Sequence, residues 1–297
     1  MKKHIRIWLG VGAVAGIVAV TVWYLRRYSI PVLQPAGEIG AKERNLIVFC
    51  ALISGVIVIP VFGMLGYVAW KYRESNKRAK YSPELEGSAL AETIWWLVPT
   101  ALLTVISVVN WRSSYALDPF KPLNSSQPTL HVQVVALDWK WLFIYPGQHV
   151  ASVSQAAIPA NTPVDFEITS DTVMSSFWAP QLGGQMYAMP GMSTELNLQA
   201  DRVGDYRGVA ANISGKGFAG MEFDIKAMSA QGFSDWIRAA KQSPAALTDG
   251  MYARLARPST DNPPTYYASV APGLYDTIVM KYMMPMGGNT NTTGLGV

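Results

Sequence analysis

Two long apolar runs constrain this chain more than any other feature of its sequence. Residues 46–70 form 25 consecutive positions without a charged side chain, and residues 93–111 form another 19. About 20 apolar residues in a helix cross the hydrocarbon core of a bilayer. Pro60 and Pro99 lie inside the runs, and a membrane helix tolerates proline better than a soluble helix does. We therefore predict two transmembrane helices, in preference to buried helices of a soluble protein.

The tryptophans are concentrated near the ends of the apolar segments. Indole rings settle at the headgroup level of a bilayer, where one side of the ring is apolar and the other is wet. A soluble fold gives no reason for this placement. Six of the ten tryptophans share it: Trp8, Trp23, Trp70, Trp95, Trp96 and Trp111.

Basic residues predict the orientation of the two helices. Short loops rich in Lys and Arg stay on the cytoplasmic side of the membrane. The chain after Arg112 is then expected outside the cytoplasm. The formal net charge of +4 comes mainly from the loop between the two apolar runs and from the N-terminus, so it does not indicate a nucleic-acid partner. The basic residues that follow the first run are Lys71, Arg73, Lys77, Arg78 and Lys80.

Residues 1–28 leave two alternatives open. A short basic start precedes an apolar stretch from Ile7 to Leu25. This pattern describes a cleaved signal peptide, and its length also permits a third transmembrane helix. Both alternatives leave the predicted transmembrane hairpin, residues 37–115, in the same orientation.

The pattern changes from continuous apolar runs to alternation in residues 125–228. Leu130, Val132 and Val134 alternate with polar residues, and the same alternation recurs around Phe166 and Phe223. Such period-2 segments, separated by Pro, Gly and Asn, predict antiparallel strands of a sandwich or barrel. The expected fold class is therefore a membrane-anchored all-β protein.

Residues 229–297 are predicted to form a C-terminal helix, an extended arm and a disordered tail. The arm, residues 258–272, is rich in Pro and Tyr, and the tail, residues 287–297, has no apolar face. The helix is indicated by apolar residues at helical spacing: Phe233, Trp236, Ile237 and Ala240.

Two loops of the outer domain carry the most informative motifs. Residues 171–192 read DTVMSSFWAPQLGGQMYAMPGM, and residues 209–223 read VAANISGKGFAGMEF. They resemble the two ligand-bearing loops of subunit II of the haem-copper respiratory oxidases, a family whose outer domain has a cupredoxin-like Greek-key fold. In the cytochrome c oxidase branch, the first loop supplies one His. The second supplies a Cys-x-Glu-x-Cys-x3-His-x2-Met run, and together they bind a dinuclear copper centre.

When the second loop is aligned on its methionine, this chain lacks most of the copper ligands. Five of the six ligand positions hold a residue that cannot replace the ligand or that offers only a backbone carbonyl. This pattern resembles the ubiquinol oxidase branch of the family, of cytochrome bo type or the related ba type, which lacks the dinuclear centre. The six positions are Ser175, Ala210, Asn212, Ser214, Phe218 and Met221.

The rest of the chain cannot supply the missing ligands. A dinuclear copper centre needs soft bridging thiolates, and the only cysteine, Cys50, lies in the first apolar run. The histidines, His4, His131 and His149, show no ligand spacing. We therefore expect no copper in these loops and no cofactor bound by this chain.

The resemblance implies a non-redox subunit of a proton-pumping terminal oxidase that oxidises quinol and reduces oxygen to water. Haems and the remaining copper are then expected in the partner subunit I. The complex is expected in the bacterial inner membrane, with the sandwich in the periplasm. No residue of this chain is expected to be catalytic, since no convergent carboxylate pair, Ser-His-Asp set or phosphate loop stands out.

Three residues have a role implied by the resemblance. The motif ALAETIWWLVP places Glu92 where the family has a glutamate at the cytoplasmic mouth of a proton pathway. A carboxylate favoured by the helix N-terminus is the simpler explanation without the motif. Trp139 and Trp141 match an aromatic pair beside the copper centre. Without copper, we expect them to be structural and to contact subunit I.

A membrane-anchored binding or copper-delivery module without an oxidase partner is the alternative function. Its signal is a methionine cluster in the segment MKYMMPMGG, and thioethers can bind Cu(I). Methionine also serves often as a flexible filler of apolar surfaces. The cluster comprises Met280, Met283, Met284 and Met286.

Overall fold

The computed structural model describes residues 30–77 and 87–283, with isolated helical positions between residues 16 and 27. The alternatives for residues 1–28 and the predicted tail, residues 287–297, therefore lie outside the described residues, as do Arg78 and Lys80. The chain divides into two compact units, one comprising Lys42–Asp118 and the other comprising Met1–Ala41 with Pro119–Val297.

Two long apolar helices dominate the smaller unit. Helix α1 spans Glu38–Lys71 and begins in the larger unit, and helix α2 spans Ala89–Ala116. Each is long and apolar enough to cross a membrane, and no residue of either apolar window is buried within the structure. The helices contain the predicted spans, 46–70 and 93–111. Such an exposed apolar surface is typical of helices that lipid or a partner protein covers.

Three hydroxyl groups of α2, those of Thr93, Thr104 and Ser114, donate to backbone carbonyl oxygens of the helix itself. Thr93 Oγ1 donates to the Ala89 carbonyl oxygen at 2.7 Å, and Ser114 Oγ donates to that of Asn110 at 2.9 Å. In a bilayer core no water is present to pair with these groups, so an internal acceptor removes the cost of burying them. The polar residues of α2 are thus compatible with a membrane span.

Two β-sheets form the core of the larger unit. One has six strands in the order β11-β3-β2-β1-β5-β8, and the other has five in the order β4-β10-β9-β6-β7. The strands are β1 Leu130–Leu137, β2 Lys140–Tyr145, β3 Val150–Val153, β4 Gln155–Pro159, β5 Val164–Ser170, β6 Ser175–Ala179, β7 Gly183–Ala188, β8 Thr194–Leu198, β9 Gly204–Ala210, β10 Glu222–Met228 and β11 Thr265–Tyr267.

The alternating pattern of the sequence matches the burial of these strands. Val132, Val134, Phe166 and Ile168 are fully buried and point into the core. The core is aromatic at its centre, where the ring of Phe177 stacks on that of Phe223 at a centroid distance of 4.6 Å. The predicted sandwich is confirmed.

Two strand pairs depart from the antiparallel pairing that the alternating pattern predicts. Strand β1 pairs parallel with β5, with Val132 beside Phe166, and β4 pairs parallel with β10, with Ala156 beside Ile225. Between the strands of each parallel pair, the chain passes through the opposite sheet. It therefore returns in the same direction, a consequence of Greek-key connections that period-2 patterns do not reveal.

The predicted amphipathic helix is helix α3, Ala230–Lys241. The hydroxyl of Ser229 accepts a hydrogen bond from the Gly232 backbone N–H at 3.1 Å and so caps its first turn. Trp236 packs on Tyr145 with ring centroids 5.2 Å apart. The helix therefore buries its apolar face against the sandwich.

The segment after α3 forms an additional layer on the six-stranded sheet. It contains helix α4, Asp249–Leu255, strand β11 and helix α5, Leu274–Met283. The predicted extended arm is partly a strand, because β11 pairs antiparallel with β3. A second apolar cluster lies beneath this layer, and its buried members are Val135, Leu137, Leu142, Ile144, Ala151, Val153, Leu247, Tyr267, Leu274, Tyr275 and Ile278.

A buried lysine links this layer to the six-stranded sheet. Lys140 is 2% exposed, and its Nζ donates to the Arg257 carbonyl oxygen at 2.8 Å and to the Ser259 hydroxyl. Burial lowers the pKa of Lys140, and the charge of Asp138 opposes that shift. The lysine thus joins β2 to the start of the arm.

Candidate functional site

Three of the six lost copper-ligand positions lie together around the sulfur of Met221. Ser175 begins β6, Ser214 lies in the loop after β9, and Met221 immediately precedes β10. The hydroxyl oxygens of Ser175 and Ser214 each lie 3.9 Å from the Met221 sulfur. Ser175 and Met221 are each 1% exposed, and Ser214 is half-buried.

The other three positions, Ala210, Asn212 and Phe218, make hydrogen bonds with backbone groups or pack against the core. The Ala210 N–H donates to the Met221 carbonyl oxygen at 3.1 Å. The Asn212 side-chain amide donates to the Met174 carbonyl oxygen at 3.1 Å and so ties the second loop to the first. Phe218 opens a short 3-10 helix, Phe218–Gly220, and packs against the core.

The donor set of this site does not fit a dinuclear copper centre. Such a centre needs bridging thiolates and imidazoles, whereas the six positions offer one thioether, two hydroxyls and one amide. The hydroxyl groups already contact the thioether sulfur. The two loops therefore bring Ser175, Ser214 and Met221 together without a donor set suited to dinuclear copper.

Trp139 covers the second loop. Its backbone is in the left-handed region, with φ 63°, and its indole N–H donates to the Ser214 carbonyl oxygen at 3.4 Å. The indole lies directly over Gly217, where any added Cβ would overlap the ring. The need for glycine at this position escaped the sequence reasoning, although the spacing Gly-Lys-Gly was visible.

Trp141 occupies a different environment from Trp139. It has no exposed surface, and its ring meets those of Phe177 and Phe223 at centroid distances of 5.4 and 5.6 Å. It is thus a core residue and presents no surface to a partner subunit. Only the half-buried Trp139 could combine structural and interface roles.

Asp171, at the start of the first loop, was not singled out in the sequence and organises the C-terminal layer. Its side chain is 2% exposed and accepts hydrogen bonds from the Tyr252 hydroxyl and from Lys281 Nζ, both at 2.6 Å. The Tyr282 hydroxyl donates to its backbone carbonyl oxygen at 2.9 Å. The pKa of Tyr252 is raised, first by burial and then by its hydrogen bond to Asp171.

Glu92 lies in the first turn of α2 with an exposed side chain. Its backbone N–H donates to the Ser88 carbonyl oxygen at 2.9 Å. Its carboxylate lies so close to Gly87 that an added Cβ there would overlap it. The side chain also lines an open cleft with Thr93, Trp96 and other residues of α2.

The methionine cluster is only partly within the described residues. Met280 and Met283 lie on α5 and are 52% and 55% exposed. Met284 and Met286 lie outside the described residues. Cys50 is exposed on α1.

Comparison with protein families matches two parts of the larger unit. Residues 130–228 match the family model described as cytochrome c oxidase subunit II, periplasmic domain. Residues 241–286, which contain the added layer, match the cytochrome oxidase aromatic-rich motif.

Curated relatives cover most of the chain. The chain is 47% identical over 249 residues to cytochrome bo(3) ubiquinol oxidase subunit 2 of Pseudomonas aeruginosa. The matched residues make up 84% of this chain and 75% of the relative. It is 46% identical over 255 residues to ubiquinol oxidase subunit 2 of Acetobacter aceti, covering 85% and 83%. It is 34% identical over 230 residues to quinol oxidase subunit 2 of Bacillus cereus, covering 77% and 79%.

Among solved structures, the periplasmic domain of subunit II of the Bradyrhizobium japonicum cytochrome oxidase overlaps with a TM-score of 0.39 and 21% identity. The overlap covers 41% of this chain and 98% of that one. The sequence relatives match a larger share of the chain, 77–85% of its length. The chain belongs to the subunit 2 family of the ubiquinol oxidases, and its outer domain matches the family model of the periplasmic domain of cytochrome c oxidase subunit II.

Proposed function

We propose that this chain is the non-redox subunit 2 of a proton-pumping terminal oxidase that transfers electrons from quinol to oxygen and forms water. Its relatives are named as subunits of ubiquinol oxidases. Haems and copper reside in subunit I, which this chain stabilises. The chain itself carries no redox centre and no catalytic residue.

The observation that carries this proposal is that side chains unsuited to copper occupy the positions of the copper ligands. Ser175 and Ser214 contact Met221 where the copper-containing branch has metal ligands. An oxidase that takes electrons from quinol in the lipid has no need of a water-exposed acceptor for cytochrome c. The loss of ligands with retention of the loops is what that change of electron donor predicts.

The two apolar helices support a place in the bacterial inner membrane. No residue in the apolar window of either helix is buried within this structure. Lipid and the helices of subunit I would cover them. The sandwich then lies in the periplasm, in agreement with the family model that it matches.

Glu92 supports a second part of the proposal, a proton entrance. The positive-inside rule places the start of α2 at the cytoplasmic surface, and the Glu92 carboxylate is exposed there. A carboxylate at this position can exchange protons with bulk water and pass them to subunit I.

Purification in mild detergent tests the function directly. The complex that contains this chain is expected to carry haem and one copper, to oxidise quinol and to leave reduced cytochrome c unchanged. Spectra and metal analysis of the chain separated from its partners should show neither haem nor copper.

The alternative, a binding or copper-delivery module, finds no support in the names of the relatives. Recovery of a colourless single chain under the same gentle conditions, with Cu(I) bound near α5, would favour it instead.

A further inference from the structure

A histidine and two carboxylates meet on the outer face of the six-stranded sheet. Strands β1 and β5 pair in parallel, so His131 lies beside Asp165 and Gln133 beside Glu167. Their neighbours in sequence point into the core, which leaves these side chains on the opposite face. One ligand atom from each of His131, Asp165 and Glu167 lies within 4.8 Å of the others.

The carboxylate of Asp165 is only partly satisfied. Its Oδ2 lies 3.1 Å from His131 Nδ1, while its Oδ1 is buried and has no hydrogen-bond partner among the described residues. A buried carboxylate oxygen without a partner carries a desolvation cost. A cation bound between the three side chains would remove that cost.

The neighbouring strand concentrates negative charge at the same place. Glu195 of β8 lies directly opposite Glu167, and like charges in directly opposed positions destabilise a sheet. Both carboxylates line a cleft of ≈ 240 Å³ together with Asp276 of α5. The described residues that line this cleft include no Lys or Arg. The arrangement is explained if an ion compensates the charge.

The donor types indicate which ion fits. One imidazole and two carboxylates are typical ligands of Zn²⁺, which accepts nitrogen and oxygen at about 2.0–2.2 Å. Ca²⁺ and Mg²⁺ prefer sites made only of oxygen. The Gln133 side-chain amide donates to Glu167 Oε2 at 3.1 Å and so orients that carboxylate, as outer partners of metal ligands do.

We propose that His131, Asp165 and Glu167 form a site for one divalent transition-metal ion, with Zn²⁺ as the fitting example. Glu195 or water completes the coordination. His131 is 61% exposed, so its ring can turn to present a nitrogen to the ion without rebuilding the core. The ion links β1 to β5 beside the docked helix α5 and neutralises the opposed carboxylates. This site is separate from the contact of Ser175 and Ser214 with Met221 and independent of the redox role of the complex.

Zinc binding to the purified complex tests this site. The complex would be prepared with an affinity tag that contains no histidine, stripped with EDTA and dialysed against limiting Zn²⁺. Metal analysis would compare the parent with His131→Gln and Asp165→Asn. The matched control is His149→Asn, which removes an exposed imidazole elsewhere in the domain and keeps a residue that tolerates its left-handed φ of 57°.

We expect the parent and the His149→Asn complex to bind one Zn²⁺ more than either site variant. Zn²⁺ should also raise the Tm of the outer domain in the parent but leave the Tm of the site variants unchanged, since a ligand stabilises only the state that binds it. Matching Tm values without metal would show that the variants fold. Equal zinc content and equal Tm shifts in the parent and in both folded site variants would overturn the proposal, and so would loss of zinc in the His149→Asn control alone.

Discussion

The ammonium group of Lys281 lies 2.6 Å from the carboxylate of Asp171 and joins the last described helix to the first of the two loops. The same carboxylate accepts a hydrogen bond from Tyr252. Tyr252 of α4 and Lys281 of α5 lie 81 and 110 positions after Asp171 in the sequence. Both helices therefore depend on one buried carboxylate for their position on the sheet.

Replacement of this anion should loosen the C-terminal layer. Hydrogen bonds to a charged group contribute about 1.5–3 kcal/mol each, and Asp171→Asn keeps the shape but removes the charge. We expect a loss of that order in the free energy of unfolding of the outer domain and faster proteolysis between α3 and α5. Denaturation and limited proteolysis of the purified complex measure both.

The control for this variant is Glu222→Gln, which breaks the exposed ion pair with Arg207. Exposed ion pairs contribute about 0–1 kcal/mol, so this variant should behave nearly as the parent does. If Asp171→Asn were equally mild, Asp171 would not be the anchor of the layer.

The stability of this layer should fall at alkaline pH. The pKa of Lys281 is raised by its hydrogen bond to Asp171, and that of Tyr252 is raised by burial and then by the same carboxylate. Groups whose pKa is raised on folding hold their protons more tightly in the folded state. Their stabilisation is complete below the ordinary pKa values of 10.5 and 10.0 and is lost as pH rises through the folded values.

Proteolysis of the layer as a function of pH measures this loss. The parent should become more sensitive above about pH 10, where unfolded Tyr and Lys side chains lose their protons. Asp171→Asn should show a smaller change over the same range, because it has already lost the carboxylate. An identical pH profile in both proteins would contradict the assignment.

The contact between Trp139 and Gly217 should be intolerant of a methyl group. Gly217 is buried under the indole, so Gly217→Ala must displace the ring. Overpacking of this kind costs about 1–3 kcal/mol. Gly220→Ala in the same loop is the matched control, since its added Cβ would come no closer than 3.4 Å to Asp261 Oδ1. Chemical denaturation should separate the two variants clearly.

Restoring the ligands should restore copper binding, because the loops already converge. The combined variant carries Ser175→His, Ala210→Cys, Asn212→Glu, Ser214→Cys and Phe218→His. Metal analysis after copper addition should find a dinuclear centre in this variant. The same variant with Ala210 and Ser214 retained should lack it, since bridging thiolates hold the pair together. Failure of the full set to bind copper would show that the loops no longer keep the ligand geometry.

Glu92 should matter for proton uptake rather than for assembly. Glu92→Gln removes the exchangeable proton and should slow oxygen reduction and proton pumping severalfold in liposomes, with normal haem content. Glu92→Asp retains a carboxylate and should recover most of the activity. A glutamine variant with full pumping would leave Glu92 as a helix-terminal charge with no role in proton entry.

The sequence alone determined the features that depend on residues taken one by one or on short periods. The lengths of two uncharged runs predicted the helices, and alternation predicted the strands. The identity of six side chains, from Ser175 to Met221, determined that the loops lack ligands for dinuclear copper. The apolar spacing around Trp236 predicted α3. None of these predictions required knowledge of which distant segments meet.

Only the tertiary structure decided the features that depend on such meetings. His131 and Asp165 are 34 positions apart in the sequence, and Asp171 and Lys281 are 110 apart. Parallel pairing of β1 with β5 brings the first pair together, and docking of α5 brings the second together. Strand order depends on the packing free energy of the whole domain, which no local pattern encodes. The same histidine that seemed isolated in the sequence therefore stands beside two carboxylates in the fold.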